Sequence, residues 1–285
     1  MGHTGTLLEP FLAEELLLSE PHKDRRAGLI AFGVLHILLG CFSFLLLLRI
    51  AAFAGNAAQN LFLDSAATVY FIATGIGSMR GRRWARALIA AVSGAWTVFG
   101  VLALAVLGFA RTSPTAQAII AVAISSIALP LVLTLFYSSR DTALTADELD
   151  PKIRWTDRAP VPALALCAVL AFCSIETLMT SGRQTFVLFG HLLAGAPATL
   201  AMIALGILFA HLTIQVYRLR ESAWWVLMLL HVIGGATSAM ELQLRSPALW
   251  TTIAVGWIAY LCFLIWLRRY FVGSSGQAPA PVLST

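Results

Sequence analysis

Apolar runs about as long as a bilayer is thick recur along the whole chain, each separated from the next by a short polar break. They lie at 27–48, 62–79, 84–109, 115–137, 161–181, 197–217, 223–243 and 248–270. At a rise of about 1.5 Å per residue each run suffices for a helix across a hydrocarbon core of about 30 Å. No series of ten-residue segments alternates with period two, which excludes an outer-membrane barrel. The pattern predicts an all-α, polytopic transmembrane bundle of eight spans. The sixth run needs trimming: apolar character begins at Phe186, and a helix from there would reach about 45 Å. Gly195 and Pro197 break it, so Arg183 to Ala196 is expected as an interfacial loop or re-entrant piece.

Four spans lie on each side of the stretch from Ser138 to Pro160, the longest run without a hydrophobic segment between Leu29 and Phe271. The chain therefore divides into an N-terminal segment (1–26), a first four-helix membrane half (27–137), a linker (138–160), a second half (161–270) and a disordered tail (271–285). Leu7 to Leu18 reads as a short amphipathic helix, too short and too acidic to span. Met1 to Ser19 carries Glu9, Glu14 and Glu15 and no basic leader, unlike a secretory signal. Within the linker, Thr145-x-x-Glu148 is a capping-box pattern, predicting a short helix that starts there and ends before Pro151. Trp155 is expected as an interfacial anchor, and Pro160 and Pro162 suit the start of the fifth span. Asp147, Glu148, Asp150 and Asp157 alternate with basic residues, which predicts internal ion pairing and a structural strap.

Composition agrees with this reading. Hydrophobic residues make up 59% of the 285 and charged residues 12%, with a mean hydropathy of +0.83. Soluble domains are less apolar and carry about twice that share of charge. The net charge of +5 does not mark a nucleic-acid-binding face, because the basic residues sit in short loops. Lys23, Arg25, Arg26, Arg80, Arg82, Arg83, Arg86, Arg140, Lys152, Arg154, Arg158, Arg218, Arg220, Arg268 and Arg269 fall on one side of the eight-span arrangement. Only Arg49, Arg111, Arg183 and Arg245 fall on the other. The positive-inside rule then makes both termini and the linker cytoplasmic. Cys41, Cys167, Cys173 and Cys262 all lie in apolar segments as packing residues, with no disulfide or zinc spacing.

The halves share a local pattern. Phe71, Ile76 and Arg80-Gly-Arg82-Arg-Trp84-Ala85 match Phe209, Ile214 and Arg218-Leu-Arg220-Glu-Ser-Ala223-Trp224. Four spans per half give both the same orientation, the parallel-repeat arrangement some transporters use. Arg82-Arg-Trp84-Ala85-Arg86-Ala-Leu88 and Asp150-Pro-Lys-Ile-Arg154-Trp155-Thr156-Asp157-Arg158-Ala-Pro160-Val-Pro162 resemble segments of bacterial multi-span inner-membrane proteins without assigned function. The resemblance implies an inner-membrane location and no particular activity.

Candidate chemistry lies inside the spans, where ionisable groups are costly and face the bundle or water. Helical spacing aligns His36, Gly40 and Ser43; Asp64, Thr68 and Gly75; Ser93, Thr97 and Gly100; Cys173, Glu176, Thr177 and Thr180; and His231, Gly234, Ser238 and Glu241. Asp64, Glu176 and Glu241 lie toward the outer ends, while His36 and His231 lie about 14 Å in from the cytoplasmic side. The substrate-binding candidates are thus His36, Asp64, Glu176, His231, Ser238 and Glu241. No catalytic residue is assigned: HExxH, Walker A, GxSxG and CxxC are all missing. Nor is a metal site assigned, since His231 and Glu241 are about 15 Å apart along one helix.

These residues point to a non-enzymatic integral membrane protein, accessory or sensory, whose partner is the lipid bilayer and which carries no cofactor. One alternative is a small-molecule transporter or binder, proton-coupled, with an outward-facing polar cavity. The other is a b-type haem protein ligated through His36 and His231, which needs two facing imidazoles. A small-molecule ligand and a homo-oligomer stay open as partners.

Overall fold

Helices form in all eight apolar segments. The structure, a computed structural model, describes residues 22–53, 58–108, 115–183, 185–188, 191–242 and 247–272. In the first half, α1 is Arg26–Phe53, α2 Ala58–Met79 and α3 Arg83–Gly108. The next helix has three parts: α4 (Ala116–Val122), a π-helical stretch (Ala123–Ala128) and α5 (Leu129–Ser138). The linker holds α6 (Arg140–Leu149) and a 3-10 turn (Trp155–Arg158). The second half is α7 (Val161–Thr180), α8 (Ala196–Tyr217), α9 (Glu221–Leu242) and α10 (Pro247–Val272). Among the described residues, six helical segments are long and apolar enough to cross a membrane: Arg26–Leu48, Arg83–Leu104, Ile119–Ser138, Val161–Thr180, Ala196–Tyr217 and Ala254–Val272. Leu38, Phe42, Leu45, Val69, Leu135, Leu200, Val232 and Val255 all stand exposed on the outside. An apolar surface that broad is what lipid, and not water, tolerates. The chain is a helical membrane protein.

Small residues set the closest approach. Gly33 of α1 faces Gly75 of α2 so tightly that a Cβ on Gly75 would lie 2.7 Å from the Gly33 carbonyl oxygen. Gly40 of the same helix faces Ile72, and the α1–α2 pair has the most extensive contact of any two elements. Helices associate in lipid through such backbone-to-backbone packing, since burial of apolar surface gains nothing there. The corresponding pair in the second half is α7–α8, where Gly206 receives Leu178 and accepts a hydrogen bond from Ser174 at its carbonyl, 2.8 Å. Helix α3 sits centrally, with α2, α5, α6, α7 and α10 all packed on it. Its face toward the second half is built from Ala87 and Ala91, against Ala159 and Leu164.

The π-helical stretch has a local cause. Pro130 has no N–H to offer the carbonyl of Ser126, and the Leu129 N–H reaches the Ile124 carbonyl five residues back. The displaced Ser126 carbonyl rests on Gly100 of α3, where any side chain would collide with it.

Two expectations need correction. The segment before α8 contains an antiparallel hairpin, β1 (Thr185–Leu188) paired with β2 (His191–Ala194) in the register Thr185↔Ala194 to Leu188↔His191. Its Thr-Phe-Val-Leu run favours strand, and Gly195, at φ 64, ends it before Pro197 opens α8. The linker helix does not start at Thr145. It starts at Arg140, capped by Ser139, whose Oγ accepts from the Thr142 N–H at 3.4 Å, and it does end before Pro151. Thr145 lies buried in mid-helix, donating to the Asp141 carbonyl and accepting from the Arg25 N–H at 3.1 Å. The amphipathic helix expected at Leu7–Leu18 and the tail beyond Val272 lie outside the described residues.

Substituting Gly75 by Ala forces backbone apart and should destabilise the protein by about 1–3 kcal/mol. Gly94→Ala meets nothing closer than 3.6 Å and serves as the control, expected to be neutral or mildly stabilising. Thermal unfolding of the two variants in the same detergent checks the difference.

Candidate functional site

A stripe of hydroxyl residues four apart, Tyr70, Thr74 and Ser78, runs along α2 toward the linker end of the bundle. Ser78 is buried; its Oγ lies 2.8 Å from the Leu29 carbonyl, to which it donates, and 2.6 Å from the Tyr137 hydroxyl. With the Ser78 proton directed to Leu29, Tyr137 is the donor in the second bond. One α2 serine thereby ties α1 to α5. Thr74 donates to the Tyr70 carbonyl at 2.7 Å, so its oxygen is the acceptor for His36 Nδ1 at 3.0 Å. That fixes the His36 tautomer: the proton sits on Nδ1 and Nε2 presents a bare lone pair. His36 is 1% exposed, and its Nε2 has no partner. The Tyr70 hydroxyl, a donor, is also buried and without a partner. The two rings are 6.3 Å apart, with Phe71 at 5.5 Å from the imidazole closing the side.

The second half holds its own polar cluster. His231 of α9 is 8% exposed, with Trp257 and Tyr260 of α10 at 4.4 and 5.2 Å between ring centroids. It hydrogen-bonds the backbone at Trp257, while its Nδ1 is without a partner. Gly234 makes room for the Trp257 ring, whose tip would lie 2.7 Å from a Cβ there. Tyr260 lies within electrostatic range of Cys173 on α7, and Cys173 in turn of Glu176.

The six candidates thus fall into separate places. His36 belongs to the α1–α2 cluster and His231 to the α9–α10 cluster, each ring surrounded by aromatic side chains of its own half. Glu176 is half-buried on α7, near the His231 group through Cys173. Asp64 is half-buried near the start of α2, its carbonyl accepting from Thr68 at 2.8 Å. The side chains of Ser238 and Glu241 lie outside the described residues. Among the described residues no three His, Cys, Asp or Glu side chains are placed to hold a metal ion. Tyr70, Ser78 and Tyr137 were not among the sequence candidates. The four-residue spacing of Tyr70, Thr74 and Ser78 was the available signal.

At the linker end, charge is organised differently. Asp150, 1% exposed, receives Arg154 in a fork, Nε at 3.0 Å and Nη2 at 2.8 Å, and Arg82 Nη1 at 3.3 Å. Arg83 pairs with Asp147 at 2.9 Å and Asp157 at 3.3 Å, and Arg25 pairs with Asp141 at 3.2 Å. The Asp157 carboxylate also accepts from the Arg154 N–H at 2.7 Å. Arg86 reaches the Tyr137 carbonyl at the C-terminus of α5, where a cation complements the helix dipole. Gly81, at φ 63, leaves space that Leu149 fills as α6 docks. The linker is therefore clasped to the N-terminus of α3.

Comparison with protein-family models, curated proteins and solved structures returns no match.

The Arg154 hydrogen bonds hold the Asp150 carboxyl below its ordinary 3.8, helped by the Arg154 and Arg82 charges and the Arg83 backbone N–H, and opposed by burial. A depressed carboxyl contributes stability that is full above the unfolded-state value and lost as pH falls through the lower folded-state value. Asp150→Asn should cost about 1.5–3 kcal/mol at neutral pH. Unfolding midpoints of variant and parent should converge in acid, below pH 3.8.

Proposed function

We propose that the chain is a non-enzymatic, accessory or sensory protein of the bacterial inner membrane, crossing it eight times with both termini and the linker in the cytoplasm. Helices α2 and α9, each 22 residues long, are the remaining two spans, at about 33 Å apiece. The orientation rests on the fifteen basic residues assigned to the linker side against four on the other.

The two halves are co-oriented repeats. The turns after α2 and α8 support this, because their backbone hydrogen bonds correspond one for one. Arg80, Gly81 and Arg82 donate to Ile76, Ser78 and Gly77; Arg218, Leu219 and Arg220 donate to Ile214, Val216 and Gln215. Gly81 and Leu219 both take positive φ, 63 and 52. Leucine pays the left-handed penalty, about 1 kcal/mol, to close the same turn.

The observation that carries the non-enzymatic reading is how the intramembrane polar groups are used. Ser78 donates to Leu29, Ser174 to Gly206, Trp224 Nε1 to Leu264 at 2.8 Å and Cys167 to Thr213, all carbonyls of neighbouring helices. Thr68, Thr97, Thr134, Thr180 and Thr213 each donate back into their own helix. Such bonds are the ordinary means of joining helices in lipid. A second reading, a small-molecule binder, is favoured by His36 Nε2 and the Tyr70 hydroxyl: a lone pair and a donor in one buried place suit one small polar molecule.

Two experiments test this. Alkaline phosphatase fused after Asp150 or Thr285 should be inactive, and active after Ser113; activity at the linker would overturn the orientation. Replacing His36 and His231 together by Leu should leave stability within about 1 kcal/mol, since each loses a half-satisfied polar group. The same variant should restore a deletion strain. Failure to restore it, with folding intact, would decide for the binder.

A further inference from the structure

The corresponding basic turns of the two halves have unlike surroundings. Arg82 and Arg83 of the first are paired with the linker acids Asp150, Asp147 and Asp157, while Arg80 is exposed. Arg218 and Arg220 of the second are exposed, and no described acidic residue pairs with them. The nearest in sequence, Glu221, is exposed in the first turn of α9, where it complements the helix dipole.

The same end of the second half gathers two more arginines. The Tyr217 hydroxyl reaches the Trp155 carbonyl at 2.9 Å, and Trp224 bonds Leu264, so the end of α8, the start of α9 and the end of α10 meet on the linker side. Arg268 lies over the rings of Trp224 and Trp225 at 5.1 and 6.0 Å. Arg269 lies over Trp266 at 4.1 Å and donates to the Tyr270 hydroxyl at 2.8 Å. Stacking fixes where the guanidinium groups stand without neutralising them.

We propose that Arg218, Arg220, Arg268 and Arg269, with Trp225 and Trp266, form a binding surface for the phosphate of an anionic phospholipid headgroup. Charge complementarity asks for an anion, and the forked guanidinium matches phosphate. The apolar wall beside it asks for an amphiphile. Trp225 is continued along α9 by Leu229 and Val232, and Trp266 is flanked along α10 by Ile265 and Ile258, all exposed. Tryptophan at headgroup depth with arginine beside it and aliphatic side chains deeper matches one lipid molecule from phosphate to acyl chain. The proposal goes beyond the function above and rests only on the linker end lying at a membrane surface.

The test is thermal unfolding of the purified full chain in neutral detergent, titrated with phosphatidylglycerol, phosphatidylcholine or inorganic phosphate. Phosphatidylglycerol should raise the midpoint saturably, and the other two should not. The Arg220→Gln/Arg268→Gln variant should weaken apparent affinity about thirtyfold, at roughly fivefold per arginine, while Lys152→Gln on the exposed linker should leave it unchanged. Arg220→Lys/Arg268→Lys, which keeps the charge, should retain part of the effect if the Gln variant folds poorly. Equal stabilisation by phosphatidylcholine, or by inorganic phosphate alone, would overturn the proposal, as would an equal loss in Lys152→Gln.

Discussion

An unpaired polar group in hydrocarbon has no water to turn to, and that cost disciplines the structure. It explains why the hydroxyls of α2 and α7 point at carbonyls and why Gly33, Gly75 and Gly206 sit where backbones meet. It also explains why Arg86, in the first turn of α3, reaches the Tyr137 carbonyl at the end of α5. Packing in this bundle comes from fit and hydrogen bonding, since lipid removes the hydrophobic drive between helices. The same rule gives the exceptions their meaning. His36 Nε2, the Tyr70 hydroxyl, Gln215 Oε1 and His231 Nδ1 are the described helix atoms of this kind, uncharged, buried and without a hydrogen-bond partner.

The linker solves a different problem, that of holding two halves in register. Asp150 is nearly inaccessible yet charged, and it keeps its charge because Arg154 and Arg82 stand on it. Burying a carboxylate beside two guanidinium groups gives little net stability, while removing either side is costly. What the pairing secures is geometry: α6 lies in a fixed place over α1 and α3. Gly81 is the residue that permits it. At the matching turn Leu219 packs onto the second-half core, and its flanking arginines stay open to solvent or headgroups.

Much of this was legible in the chain. Each of the eight hydrophobic runs located a helix, and six of these are apolar over a length that suffices for a bilayer. Asp147, Asp150 and Asp157 were expected to pair with the linker's basic residues; they reach back to Arg82 and Arg83 at the start of α3, a tertiary contact no local pattern encodes. The hairpin at Thr185–Ala194 was hidden by apolar residues equally compatible with a loop at the interface. The capping box at Thr145 misled because Ser139 offered an earlier cap and tertiary burial of Thr145 took its hydroxyl for other bonds. The Tyr70–Thr74–Ser78 stripe carries no ionisable signal in the chain, since neutral hydroxyls are cheaper to place in lipid than charged groups.

The placement of the histidines bears on where any ligand can act. Equal depth in the sequence suggested that His36 and His231 face each other, as two haem ligands would. In the structure one ring is enclosed by Tyr70, Phe71 and Thr74, the other by Trp257 and Tyr260, and each of these neighbours belongs to the histidine's own half. The face of α3 that meets the second half packs through Ala87 and Ala91 against Ala159 and Leu164. The two imidazoles therefore sit in separate aromatic surroundings, one between α1 and α2 and the other between α9 and α10.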